Sequence, residues 1–195
     1  SETFAGTRPG SEDVTPSQGA PPARQAGRMT HDLERGQTLL FGGTDTFAGG
    51  FFGDLWAWDG HRWERLNPSG PTPSPRVAHA LAYDAARRRV VLYGGGSLEP
   101  APVWEWDGTV WAQRLPAGPN PGLLGGPELV FDGQRVLLIG GRGGARDALE
   151  GLWAWDGGQW TRVSRTGPPG RSDHGAVWDS ARGRLVVFGG QVPAS

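Results

Sequence analysis

Short apolar runs alternate with clusters of glycine, proline, aspartate and arginine along this chain, and the same order of runs returns about every fifty residues. The second copy is the easiest to read. Residues 76–83 (RVAHALAY) predict a first strand, 84–88 (DAARR) a turn, and 89–93 (RVVLY) a second strand that ends on Gly94-Gly95-Gly96. A loop of variable sequence follows, then a third strand over 103–106, an Asp107-Gly108 turn and a fourth strand over 110–115. Four short strands with turn signals between them make an antiparallel meander. The Gly-Gly pairs recur at 42–43, 94–95, 140–141 and 189–190, and a Trp-x-Trp-Asp-Gly-x-x-Trp motif begins at Trp56, Trp104 and Trp153. The copies span 17–68, 69–115 and 116–164, with a split copy from 165–195 and 1–16.

The turns carry their own predictions. Asp-Gly at 59–60, 107–108 and 156–157 suits a two-residue hairpin turn, which places Trp56 opposite Trp63, Trp104 opposite Trp111 and Trp153 opposite Trp160. Asp32, Asp84 and Asp179 each open a turn that closes on a left-handed residue: Gly36, Arg88 and Gly183. Arg88 should carry a small strain there. In the third copy Asp132-Gly133 makes this turn two residues shorter. The second strands are apolar on both faces (Leu39-Leu40-Phe41, Val90-Val91-Leu92-Tyr93, Val136-Leu137-Leu138-Ile139, Leu185-Val186-Val187-Phe188), so each should be covered on both sides. Four-stranded sheets stacked about an axis provide that cover, with the alanine-rich first strand (Ala78, Ala80, Ala82) innermost. The fold class expected is all-β, a β-propeller. Residues 1–15 align with third and fourth strands and would complete the last sheet, giving four sheets with one shared by both ends; the alternative is an arc of a larger ring.

These residues resemble the kelch repeat family over about residues 15–190. The likeness lies in the Arg-x-x-His opening of the first strand (Arg76/His79, Arg171/His174), the apolar strand closing on Gly-Gly, and the paired tryptophans. The first copy keeps Arg24 but has Gly27 for the histidine, and the third has Leu124 and Pro127. The resemblance implies a module that binds a protein or a carbohydrate. A minority of the family are enzymes: copper proteins like galactose oxidase, sialic-acid isomerases and plant specifier proteins. The copper chemistry needs a tyrosine crosslinked to cysteine. This chain has no cysteine, and its two tyrosines, Tyr83 and Tyr93, fall at packing positions. No cofactor or metal is expected.

Composition changes the picture little. Glycine (34) and proline (17) fit short strands and tight turns, and the net charge of −1 gives no field to draw nucleic acid. All 19 basic residues are arginine, which matches a GC-rich coding bias better than a phosphate-binding surface. No apolar run reaches the roughly 18 residues of a membrane span. Without cysteine, redox chemistry does not reveal the compartment.

Candidate chemistry falls at one edge. The loops joining second to third strands (hereafter 2–3 loops) differ between copies and hold Asp45, Phe47, Phe51, Phe52, Glu99, Arg142 and Arg146. Variable loops on a rigid scaffold are where recognition usually sits. Arg24, Arg76 and Arg171 open first strands and should approach the same rim. There they either bind a carboxylate or phosphate or satisfy loop carbonyls and stack on an aromatic of the neighbouring blade. His79 and His174 occupy one equivalent repeat position in different copies, His31 aligns with Tyr83 and Trp178, a core slot, and His61 lies just after a turn, so structural roles are expected for all four. Three readings stay open: a non-catalytic recognition module, an enzyme using arginines and acids at the channel mouth, and a structural segment of a larger propeller.

Overall fold

The computed structural model describes residues 19–45, 49–95, 101–143, 149–165 and 169–192. Phe47, Glu99, Arg146 and the N-terminal strands expected over 1–15 lie outside those residues. Among the described residues the protein is all-β with no helix, and hence has no helix long and apolar enough to cross a membrane. Three antiparallel four-stranded sheets follow in chain order. Sheet 1 is β1 (Arg28–Asp32), β2 (Gln37–Phe41), β3 (Leu55–Trp58) and β4 (Trp63–Leu66). Sheet 2 is β5 (His79–Asp84), β6 (Arg89–Gly94), β7 (Val103–Trp106) and β8 (Trp111–Arg114). Sheet 3 is β9 (Glu128–Phe131), β10 (Val136–Ile139), β11 (Leu152–Trp155) and β12 (Trp160–Ser164). Sheet 4 has two described strands, β13 (Ser172–Asp179) and β14 (Arg184–Gln191).

The first strands lie side by side in order: β1 against β5, β5 against β9, β9 against β13. Small side chains permit this approach, and Ala80 and Ala82 are buried as expected. The sheets stack face to face through three apolar layers. Leu39 and Phe41 of sheet 1 pack with Leu81, Val90 and Leu92 of sheet 2. Val91 and Tyr93 of sheet 2 pack with Val136 and Leu138 of sheet 3, and Leu137 and Ile139 of sheet 3 with Leu185 and Val187 of sheet 4. Cover on both faces therefore holds for β6 and β10. It fails at β14, where Val186 is 43% and Phe188 86% exposed and, among the described residues, no further sheet lies over them. His31 also departs from its expected core slot: it is exposed, on the open back of sheet 1, with Nδ1 3.1 Å from Thr38 Oγ1.

The tryptophan register differs from expectation. Trp58, not Trp56, lies opposite Trp63; likewise Trp106 faces Trp111 and Trp155 faces Trp160. The turn is centred one residue later than Asp-Gly, because the Asp59 carboxylate accepts hydrogen bonds from the His61 and Arg62 amides, both at 2.8 Å. Asp107 and Asp156 do the same in their copies. An aspartate held this way caps the turn rather than occupying its tip. The facing rings meet at centroid distances of 5.6, 5.5 and 5.3 Å, tilted by 46° to 47°. Such pairs add about 0.5–1.5 kcal/mol each beyond their buried area. The turns between first and second strands form as read, with Gly36, Arg88 and Gly183 at φ of 62°, 55° and 61°.

Candidate functional site

One repeated device builds the edge where the 2–3 loops emerge. Arg24, Arg76 and Arg171 each donate from Nη1 to the carbonyl of the first glycine of their own copy's Gly-Gly pair: Gly42, Gly94 and Gly189, at 3.0, 3.0 and 2.9 Å. Each also donates from Nε to the carbonyl two residues back. The second glycine donates its amide to the next copy, Gly43 to the Arg76 carbonyl, Gly95 to Leu124 and Gly141 to Arg171. Glycine is required because the backbones almost touch. A Cβ on Gly42 would lie 2.7 Å from the Arg76 carbonyl oxygen, and one on Gly95 2.1 Å from that of Val77. The belt continues through Ala78 and Asp173, held at φ of 54° and 56°, a conformation costing about 1–2 kcal/mol for a residue with a side chain.

The guanidiniums of Arg24 and Arg76 are thus engaged inside the chain. Arg24 also binds Asp54 in a fork, at 2.6 and 2.9 Å, and lies 4.1 Å over the Phe52 ring. Carbonyl satisfaction is observed for both arginines; the ring over which Arg24 lies, Phe52, belongs to its own copy and not to the neighbouring one. Burial has pushed Arg76 down to about 10. Burial would raise the Asp54 carboxyl, but hydrogen bonds from Arg24 and Trp56 together with the Arg24 charge hold it below its usual range.

His79 and His174 sit beneath the belt, fully or almost fully buried. The His79 ring lies against Gly42 and makes an edge contact with Phe41 at 5.6 Å. Among the described residues no group meets hydrogen-bond geometry with a ring nitrogen of either histidine, although the Phe41 backbone lies near enough to His79 to oppose its downward shift. Burial, with the Arg76 and Arg28 charges adding to it, pushes His79 down to about 3. A neutral imidazole used as packing is the role observed.

Above the belt an open cleft of about 510 Å³ runs across three copies. Phe51 from sheet 1, Pro75 and Val77 from sheet 2, and Leu123, Leu124 and Arg142 from sheet 3 line it. Phe51 is 61% exposed and Arg142 is exposed. The Arg142 backbone is fixed by reciprocal bonds with Gly125 at 2.9 and 2.8 Å, while its Nη2 donates to Gln191 Oε1 at 3.2 Å. The structure therefore gathers Phe51 and Arg142 at one cleft, folds Phe52 back under Arg24, and bonds the Asp45 backbone to Gly49 and Gly50 at 3.0 and 3.1 Å.

Two charged clusters escaped the sequence reading. Arg28 donates to the His79 carbonyl at 3.0 Å and pairs with Glu128 at 3.1 Å, linking three first strands. Burial, and to a smaller extent Asp173, raises the Glu128 carboxyl despite Arg28. Glu105, 3% exposed, bonds Arg87, Arg114 at 3.2 Å, and Trp155 Nε1 of sheet 3 at 2.9 Å. Burial would raise Glu105; the Arg87 and Trp155 hydrogen bonds and the Arg87 charge outweigh it and leave it low. The signal was available: Ala57 and Ala154 stand at this position in the other copies. Among the described residues no three metal-ligating side chains gather. No family model and no curated protein matches the sequence.

Proposed function

We propose that this chain is a kelch-type β-propeller module that recognises a protein or carbohydrate partner without catalysing a reaction on it. The 2–3 loop edge is the recognition surface, and the cleft between Phe51 and Arg142 receives the partner. The observation that carries this reading is the cleft itself. It takes residues from two of the variable loops, spans three copies, and has an exposed aromatic on one wall and an exposed guanidinium on another. Aromatic and arginine side chains are the usual anchors of an interface, and Pro75, Val77, Leu123 and Leu124 offer apolar walls between them. The rigid backbone belt beneath keeps the ordering cost of binding low. A glycan array and a pull-down screen of the wild type and of Phe51→Ser/Arg142→Ser test the proposal. A partner retained by the wild type should lose at least about tenfold in affinity with the double variant, at an unchanged melting temperature. Equal binding by both would remove the cleft from the account, and turnover of a screened sugar would favour an enzyme.

A further inference from the structure

Contacts between successive sheets repeat in a way that leaves two faces without partners among the described residues. In the first two sheets the aromatic before the Gly-Gly pair packs edge-on against the fourth-strand tryptophan of the next sheet: Phe41 on Trp111 at 5.7 Å, Tyr93 on Trp160 at 5.0 Å; the third sheet has Ile139 there. Phe188 holds this position in sheet 4 and is 86% exposed, beside Val177 at 61% and Val186 at 43%. At the other end, Met29 of sheet 1 stands where sheet 2 has the buried Leu81, yet is 56% exposed. Trp58 and Trp63 are only half-buried, whereas Trp106, Trp111, Trp155 and Trp160 are buried. Among the described residues, Trp63 is the fourth-strand tryptophan that no preceding sheet covers.

The turns give an independent sign of the same gap. Arg35 of sheet 1 lies on the Asp107-Gly108 turn of sheet 2 and donates to the Asp107 carbonyl. Arg87 of sheet 2 lies on Gly157 of sheet 3 in the same way. Arg182 occupies the equivalent position in sheet 4, where its side chain is 64% exposed and paired with Asp179 of its own turn. Gly60 of sheet 1 is the equivalent turn glycine, and nothing lies within 4 Å of where its Cβ would be. The front of sheet 4 and the back of sheet 1 thus match in aromatic, aliphatic and arginine positions, and among the described residues of one chain their strands do not pack on one another.

We propose that these faces join between two copies of the chain, head to tail, with Phe188 on Trp63 and Arg182 on the turn at Gly60. The contact is heterologous, so it propagates until the rotation closes a ring or continues as a filament. Sedimentation or light scattering of the 195-residue chain from about 1 to about 100 µM tests it. The mass should rise with concentration to at least twice that of one chain. Phe188→Asp should hold it at one chain, while Phe188→Tyr should keep the association, since Tyr93 already fills this place on Trp160. The chain has no cysteine, so single variants Arg182→Cys and His61→Cys can be joined by a short bis-maleimide. Crosslinked dimer should form on mixing the two and not with either alone. A wild type that stays a single chain throughout, a Phe188→Asp variant that associates equally, or crosslinked dimer from either cysteine variant alone would overturn the proposal.

Discussion

Acid should loosen the joint beneath the recognition edge, and His79 sets the size of the effect. Its ring is fully buried against Gly42 and Phe41, with Arg76 and Arg28 nearby and only the Phe41 backbone favouring the protonated form. The unfolded chain binds a proton at this ring near 6.5, the folded chain only near 3. The folded value is the lower one, so the full contribution is present above the unfolded value and drains away as pH falls towards the folded value. Between about pH 7.5 and about pH 4.5 this one ring should cost the folded state about 2–3 kcal/mol. Urea unfolding of the wild type and of His79→Leu at both pH values isolates the term. Leucine lowers stability overall, so the informative quantity is the change with pH, which should be smaller in the variant by that amount. His174, also shifted down by burial and by Arg171, titrates in both proteins and cancels. A variant that loses as much stability in acid as the wild type, or an imidazole resonance of His79 that titrates near 6.5, would refute the reasoning.

Glu105→Gln should destabilise by roughly 1–3 kcal/mol in urea unfolding, because Arg87 and Arg114 keep partial access to water while the bond to Trp155 weakens. Gly95→Ala should cost several kcal/mol or prevent folding, since its Cβ would meet the Val77 carbonyl, whereas Gly36→Ala, at a similar φ but in open space, should cost about 1 kcal/mol. Arg88→Gly should raise stability by under about 1 kcal/mol, as relief of its positive φ outweighs an exposed ion pair with Glu34; a lower melting temperature would contradict this.

Much of the architecture was legible because the constraints are local and repeated. Gly-Gly, Asp-initiated turns and apolar second strands each force one backbone geometry, and finding them in order at one period gave the meander and its innermost strand. The tryptophan register was misread because two hairpin turns share the letters Asp-Gly. Only the hydrogen bonds from the amides of residues 61 and 62 to the Asp59 carboxylate shift the turn by one residue. The candidate edge was legible as a set of loops, but which side chains face outward was not. Phe51 and Phe52 are adjacent in sequence, and their separation depends on Arg24 reaching across to cover one of them. Glu105 and the Arg28–Glu128 pair depend on contacts between copies, which no single repeat encodes.

The claim that the 2–3 loop edge recognises a partner is tested most directly by mapping where a partner from the screens sits. Backbone hydrogen exchange and amide shift changes, with and without it, supply the map. Protection should centre on Phe51, residues 74–78, Gly95, residues 123–125 and Arg142, with shift changes fading towards the opposite turns. A footprint at the other end of the first strands, around Leu33, Ala85 and Trp178, would contradict the account.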